Sequence, residues 1–225
     1  MSSEIILRAL ESNIIIEEKS FIKIEFLNDD ELKKKLLYFS SKKIIAVFTS
    51  SNAVKAVVNH LGHVSWKIYC VGQTTKKLLV ESFGSDSIFF NAQDAFSLAK
   101  KIIEDNIKEV IFFCGDHRRD ELPGMLSAQG IGVEEIMVYR TILTPCKVPG
   151  VYDGILFFSP SAVESYFSMN KLNPQTKFFA IGNTTANAIK KYYSPEVIVS
   201  LQTGVNEVIQ MVIDYYKNLQ NVCNN

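Results

Sequence analysis

Two short phrases rich in hydroxyl groups are each written twice in this chain. Residues 48–54 read FTSSNAV and residues 157–163 read FFSPSAV, so Phe-x-Ser-x-x-Ala-Val recurs 109 positions apart. Residues 71–75 (VGQTT) and 181–185 (IGNTT) form a second pair at an offset of 110. All four stand where an apolar run ends and an amphipathic run begins, the junction of a strand and a helix. The first N–H groups of a helix have no partner within it, and the helix dipole favours negative charge there. Anionic groups can be held at such ends without lysine or arginine. The candidate contacts are Thr49, Ser50, Gly72, Thr75, Ser159, Ser161, Thr184 and Thr185. Ser, Thr and Asn are also the usual helix caps. The two roles are compatible, because a cap can release its N–H to a ligand.

Other polar groups narrow the chemistry. The stretch CGDHRRDELP at 114–123 follows a strand end, and a guanidinium of Arg118 or Arg119 there could clamp a carboxylate. The alternative is a solvated helix start in which Asp120 and Glu121 neutralise both arginines. His60-Leu-Gly-His63 has the look of a metal pair, but no thiol or carboxylate cluster joins it, so no metal is expected. There is no GxGxxG and no Walker lysine, which leaves a nucleotide phosphate site unsupported, and no cofactor is expected. Cys70, Cys114, Cys146 and Cys223 make no CxxC pair and read as reduced thiols of a cytoplasmic protein.

The totals suit a chain of one large or two small domains. Of 225 residues, 47% are hydrophobic and 21% charged, and 24 basic residues balance 24 acidic ones. A net charge of zero offers no footprint for nucleic acid or a membrane surface. Apolar runs are too short to span a bilayer, and the N-terminus has neither a basic start nor an uninterrupted apolar stretch of a secretory signal. Candidate strands are 43–48, 66–71, 87–90, 108–114, 153–158, 177–181 and 196–200; candidate helices are 52–61, 74–83, 94–105, 120–129, 161–168, 184–193 and 204–218. Continuous apolar strands alternating with helices predict an α/β fold with parallel sheets covered on both faces.

The echoes extend to organisation. Gln93-Asp94 matches Gln202-Thr203, so 44–105 returns loosely as 153–214 and two similar α/β lobes follow. Val133-Glu134-Glu135 falls on Ile16-Glu17-Glu18 at an offset of 117, which makes the N-terminus the missing end of the second lobe. One lobe is then continuous, 29–136, and the other discontinuous, 1–24 with 147–225. Segments 20–28 and 137–146 would be the crossings, a two-stranded β-ladder joining the lobes. If both lobes turn their strand ends inward, the cleft suits a large polycarboxylate.

FTSSNAV, VGQTT, CGDHRRDELP, VYRT, FFSPSAV and IGNTTANAI stand in an order and spacing that resembles uroporphyrinogen-III synthases, over about 44–200. The resemblance implies two α/β lobes and an active site in the cleft. It implies closure of the linear tetrapyrrole hydroxymethylbilane into uroporphyrinogen III, with inversion of the last ring, loss of water, and no metal or organic cofactor. The family's hydroxyl contacts fall on Thr49, Ser50, Thr75, Ser159 and Thr185, its arginine on Arg119, and its candidate proton donor on Tyr139 of VYRT. Packing between the lobes is the other reading of Tyr139. The family usually opens with a strand before its first helix. Here residues 3–12 fit that helix, so no strand is expected before residue 12, and the second sheet should be one strand short of the first. A monomer without nucleic-acid or membrane partners is expected. The competing class is a cytosolic two-lobe module that binds a polycarboxylate without turning it over.

Overall fold

The computed structural model describes residues 2–62, 64–171, 173–192, 196–202 and 204–223, with side chains to residue 220. His63, Thr203 and the Cys223 thiol, all weighed above, lie outside the described residues and side chains. The elements run α1 (Ser3–Glu11), β1 (Ile22–Phe26), α2 (Asp30–Ser40), β2 (Ile45–Phe48), α3 (Ser51–Val58), β3 (Lys67–Val71), α4 (Gln73–Phe83), β4 (Ile88–Ala92), α5 (Ala95–Glu104), β5 (Glu109–Gly115) and α6 (Glu121–Ala128). They continue with β6 (Gly132–Leu143), β7 (Gly154–Phe157), α7 (Pro160–Phe167), β8 (Lys177–Ala180), α8 (Asn183–Lys190), β9 (Val197–Val199) and α9 (Val205–Cys223). The chain divides into two compact units, residues 24–142 and residues 1–23 with 143–225.

In the continuous unit, strand alternation sends side chains to two cores. Ala46, Phe48, Ile68, Cys70, Ile111 and Phe113 enter one cluster with α2 and α3, while Val47, Tyr69, Val110, Phe112 and Cys114 enter the other with α5 and α6. The sheet has the order β1-β6-β5-β2-β3-β4. β2 lies parallel to both β3 and β5, β3 to β4, and β5 to β6. Burial on both faces is what allows a parallel sheet to read as continuous apolar runs.

Helix α2 was not among the expected elements, because its Asp-Asp-Glu and Lys-Lys-Lys runs hide the apolar stripe. The signal is present: Asp29 caps the helix, its carboxylate accepting from the Leu32 N–H at 2.9 Å, and Leu32, Leu36 and Phe39 are buried at helical spacing. The Trp66 indole N–H donates to the Phe39 carbonyl at 2.9 Å and pins the helix end.

Among the described residues the discontinuous unit has three parallel strands in the order β7-β8-β9. One face packs Phe157, Phe178 and Ala180 against Val163, Tyr166, Ala186 and Ile189 of α7 and α8. The other packs Leu156 against Ile5 and Ala9 of α1 and Ile209 and Ile213 of α9. Helix α1 stands where expected, capped by Ser2, and the first strand among the described residues begins at Ile22. Among the described residues the shortfall in this sheet exceeds the one strand expected: three strands stand against six. Residues 16–18 echo part of β6, yet they form no strand. β6 has β5 as its parallel neighbour, and among the described residues this unit has no counterpart of β5 to offer an edge.

β6 begins at Gly132, so one strand serves both as a member of the sheet and as the expected segment 137–146 up to Leu143. The Leu27 N–H donates to the Val138 carbonyl at 3.0 Å and the Thr144 N–H to the Phe21 carbonyl at 2.9 Å. Partner numbers that fall as the others rise are the pattern of antiparallel pairing.

Buried thiols give the fold an alkaline weakness. Burial pushes the Cys70 and Cys114 thiols from an ordinary 9.0 up to about 11. Between those values the unfolded chain has lost protons that the folded chain keeps, so stability falls as pH rises. The urea midpoint should hold up to about pH 9 and decline toward pH 11. A Cys70→Ala, Cys114→Ala double variant should show a shallower decline; an equal slope would refute this cause.

Candidate active site

Strand order reverses at one point in the larger sheet. From β2 the chain steps outward through β3 and β4, then returns to place β5 and β6 on the other side of β2. The carboxyl ends of strands at such a switch point are where open α/β sheets bind ligands. Here those ends are Thr49–Ser50 after β2 and Gly115–Asp116 after β5. Ser50 is extended (φ −144°, ψ 135°) and caps α3, its Oγ accepting from the Asn52 N–H at 3.1 Å. The Tyr139 phenol donates to the same Oγ at 3.2 Å across 89 residues of sequence.

A bulge aims Tyr139. β5 and β6 run in register to Cys114 opposite Met137, and then Gly115 faces Tyr139, which leaves Val138 as an extra residue. Two consecutive side chains, Val138 and Tyr139, therefore turn to the same core cluster. The ring lies directly against Gly115: a Cβ there would collide with the Tyr139 Cζ. Only glycine leaves room for it. Burial raises the Tyr139 phenol above its ordinary 10.0, with the Ser50 contact opposing, so the group stays neutral and keeps its proton.

The other sequence candidates divide by placement. Gly72 (φ +84°) and Gly182 stand at the start of α4 and α8 with no side-chain cap, and the first backbone-accepting bonds come from Lys76 and Ala186. The N–H groups at 73–75 and 183–185 therefore face no capping side chain. Ser159 caps α7 through the Ala162 N–H at 3.2 Å, with Pro160 in the first turn. Thr49, Ser161 and Thr184 are half-buried. Thr75 and Thr185 lie on the inner faces of their helices, 5% and 3% exposed. Both hydroxyls are thus buried in this structure, and the helix starts beside them also present backbone N–H groups.

The arginines also separate. Arg118 is engaged by both Asp120 and Glu135, and these carboxylates raise its pKa further. Arg119 is exposed and forms no ion pair among the described residues. Asp120 thus answers Arg118, while Arg119, like Arg140, is an exposed guanidinium without an ion pair among the described residues. Sequence reasoning missed Gly115 and Asp116. A glycine and an acid directly after a buried strand were the available signal, but only the pairing of β5 with β6 gives them meaning. Among the described residues, no group of three His, Cys, Asp or Glu side chains could hold a metal ion, and no helix is long and apolar enough to cross a membrane.

The fold and site define a class: an α/β protein of two parallel-sheet units, each with hydroxyls and uncapped helix N–H groups at its strand ends. The chain belongs to the uroporphyrinogen-III synthase family, since the family profile for uroporphyrinogen-III synthase HemD matches residues 8–210. Among solved structures it is similar to a mutant uroporphyrinogen III synthase from the extremely thermophilic bacterium Thermus thermophilus, at 15% identity and a TM-score of 0.65, covering 97% of this chain and 95% of that one. It is also similar to uroporphyrinogen-III synthetase from Helicobacter pylori, at 16% identity and a TM-score of 0.57, covering 87% and 91%. At these identities the two structures speak for the fold, and the profile match carries the family.

Proposed function

We propose that the chain closes hydroxymethylbilane into uroporphyrinogen III, with inversion of the last ring and loss of water. The family match over residues 8–210 carries this reading. The site adds physical support. In the continuous unit, carboxylates of the substrate can be met by the uncapped start of α4, by the cap Ser50 and by Arg119; in the discontinuous unit the start of α8 and the cap Ser159 offer groups of the same kind. The phenol of Tyr139 donates its proton to the departing hydroxyl as the C–O bond breaks and water leaves, and the proton released when the closed ring system regains its aromatic pyrroles returns to the phenolate. The remaining electron-deficient azafulvene is attacked by the substrate's own terminal pyrrole, and a spiro intermediate reopens and closes with that ring inverted. Little covalent help is asked of the protein. Its main contribution is to hold one folded geometry of a flexible chain. Net charge zero is in keeping with a small-molecule partner and not a nucleic acid, and the reading places the reaction in the cytoplasm.

Supplying hydroxymethylbilane and separating the cyclised isomers tests this directly. Type III product is expected in excess over the spontaneous type I. Exclusive type I at the uncatalysed rate would leave only the binding reading.

A further inference from the structure

We infer that Asp116 is a positioning residue for Tyr139, an inference that rests on the proton-donor reading of that phenol. β5 ends at Gly115, opposite Tyr139, and β6 runs on to Leu143. Beyond Gly115 the ladder is continued by one residue. The Asp116 N–H donates to the Tyr139 carbonyl at 3.3 Å, and the Asp116 Oδ1 accepts from the Thr141 N–H at 2.9 Å. The same oxygen accepts from the His117 N–H at 3.0 Å, which holds the turn that leaves β5. One bond grips Tyr139 itself and the other grips the backbone two residues on. The carboxylate takes the place of a strand carbonyl that β5 no longer supplies.

The need for such a grip follows from the bulge. An extra residue, Val138, stands just before Tyr139, and a one-residue slip in pairing sends side chains to the opposite face. The phenol is also sensitive to small shifts. Its 3.2 Å approach to Ser50 Oγ is longer than the 2.5–3.0 Å usual between hydroxyls. A few tenths of an ångström more would end the contact. Asp116 is an exposed residue whose side chain, 26% accessible, is held to this turn by the two N–H groups.

The test compares Asp116→Ala with Asp116→Asn, whose amide oxygen can still accept from Thr141, each alone and combined with Tyr139→Phe. Full-length protein carrying fluorotyrosine supplies a second readout, the Tyr139 fluorine resonance, assigned by its absence in Tyr139→Phe. Asp116→Ala should lower kcat for type III formation about five- to tenfold with KM within about twofold, less than the roughly 10²–10⁴-fold of a whole proton donor because the phenol is misaimed and not removed. It should also shift the Tyr139 resonance. Asp116→Asn should stay within about twofold of the parent and leave the resonance in place. In the Tyr139→Phe background, Asp116→Ala should add less than about twofold, because its effect passes through the missing phenol. If the alanine variant does not fold, Asp116→Ser, too short to reach Thr141, makes the same comparison. An unmoved Tyr139 resonance, or an equal loss of kcat with and without the phenol, would overturn the inference. Should Tyr139→Phe itself leave the rate unchanged, the proton-donor reading falls, and the resonance still decides whether Asp116 aims the ring.

Discussion

Tyr139→Phe lowers the rate of type III formation by at least about tenfold, a bound set below the roughly 10²–10⁴-fold typical of a positioned proton donor because water can take over part of the role. The substitution keeps the ring that lies against Gly115 and deletes only the hydroxyl that donates to Ser50. Folding should therefore be spared. Burial holds the phenol above its ordinary 10.0, so this donor is not lost as pH rises through the neutral and mildly alkaline range. Water can substitute in part, and the loss should stop short of abolition. The measurement is the initial rate of type III formation against total cyclised product, with thermal midpoints of Tyr139→Phe and Tyr139→Ala alongside. Unchanged turnover in the phenylalanine variant, with a damaged fold in the alanine variant, would assign the residue to packing.

Phe113→Ala should cost about 3–5 kcal/mol of folding stability, the usual range for truncating a fully buried aromatic. Phe113 is 0% exposed and stacks on Phe48 at 5.0 Å and on Trp66 at 5.3 Å between ring centroids. Domains commonly hold only about 5–15 kcal/mol in total, so this single change takes a large share. It reaches the site as well. Phe48 is two residues before Ser50, and Phe113 two before Gly115, so the stacked rings hold together the two strand ends that bear the switch point. Urea denaturation should show a lower midpoint with little change in slope. A loss under about 1 kcal/mol would mean the rings are not packed as described.

Much of the α/β pattern was legible because it is written locally. The run EVIFFCG of β5 is buried along almost its whole length, and the caps Ser50, Asp94 and Ser159 stand directly before the helices they start. Asp94 accepts from the Ser97 N–H at 2.7 Å, a bond that also holds its carboxyl below the ordinary value. Helix α2 shows the limit of such reading. Its charge runs masked a stripe at Leu32, Leu36 and Phe39, and only packing beneath Trp66 makes that stripe conspicuous.

By itself the sequence determined the parallel α/β class, the hydroxyl-bearing turns at its strand ends and the family resemblance, since strand periodicity, capping and short ordered motifs are properties of neighbouring residues. Only the tertiary structure decided which of those groups meet. Ser50 and Tyr139 are 89 residues apart, and no local rule says that β5 will lie between β2 and β6, or that a bulge at Val138 will turn the phenol onto Gly115. The burial of Thr75 and Thr185, 5% and 3% exposed, was likewise out of reach, because it depends on how each helix is rotated against its sheet. That rotation is set by the summed packing of whole faces, and pairing partners are set by contacts distant in sequence, so neither is written in the few residues around a motif.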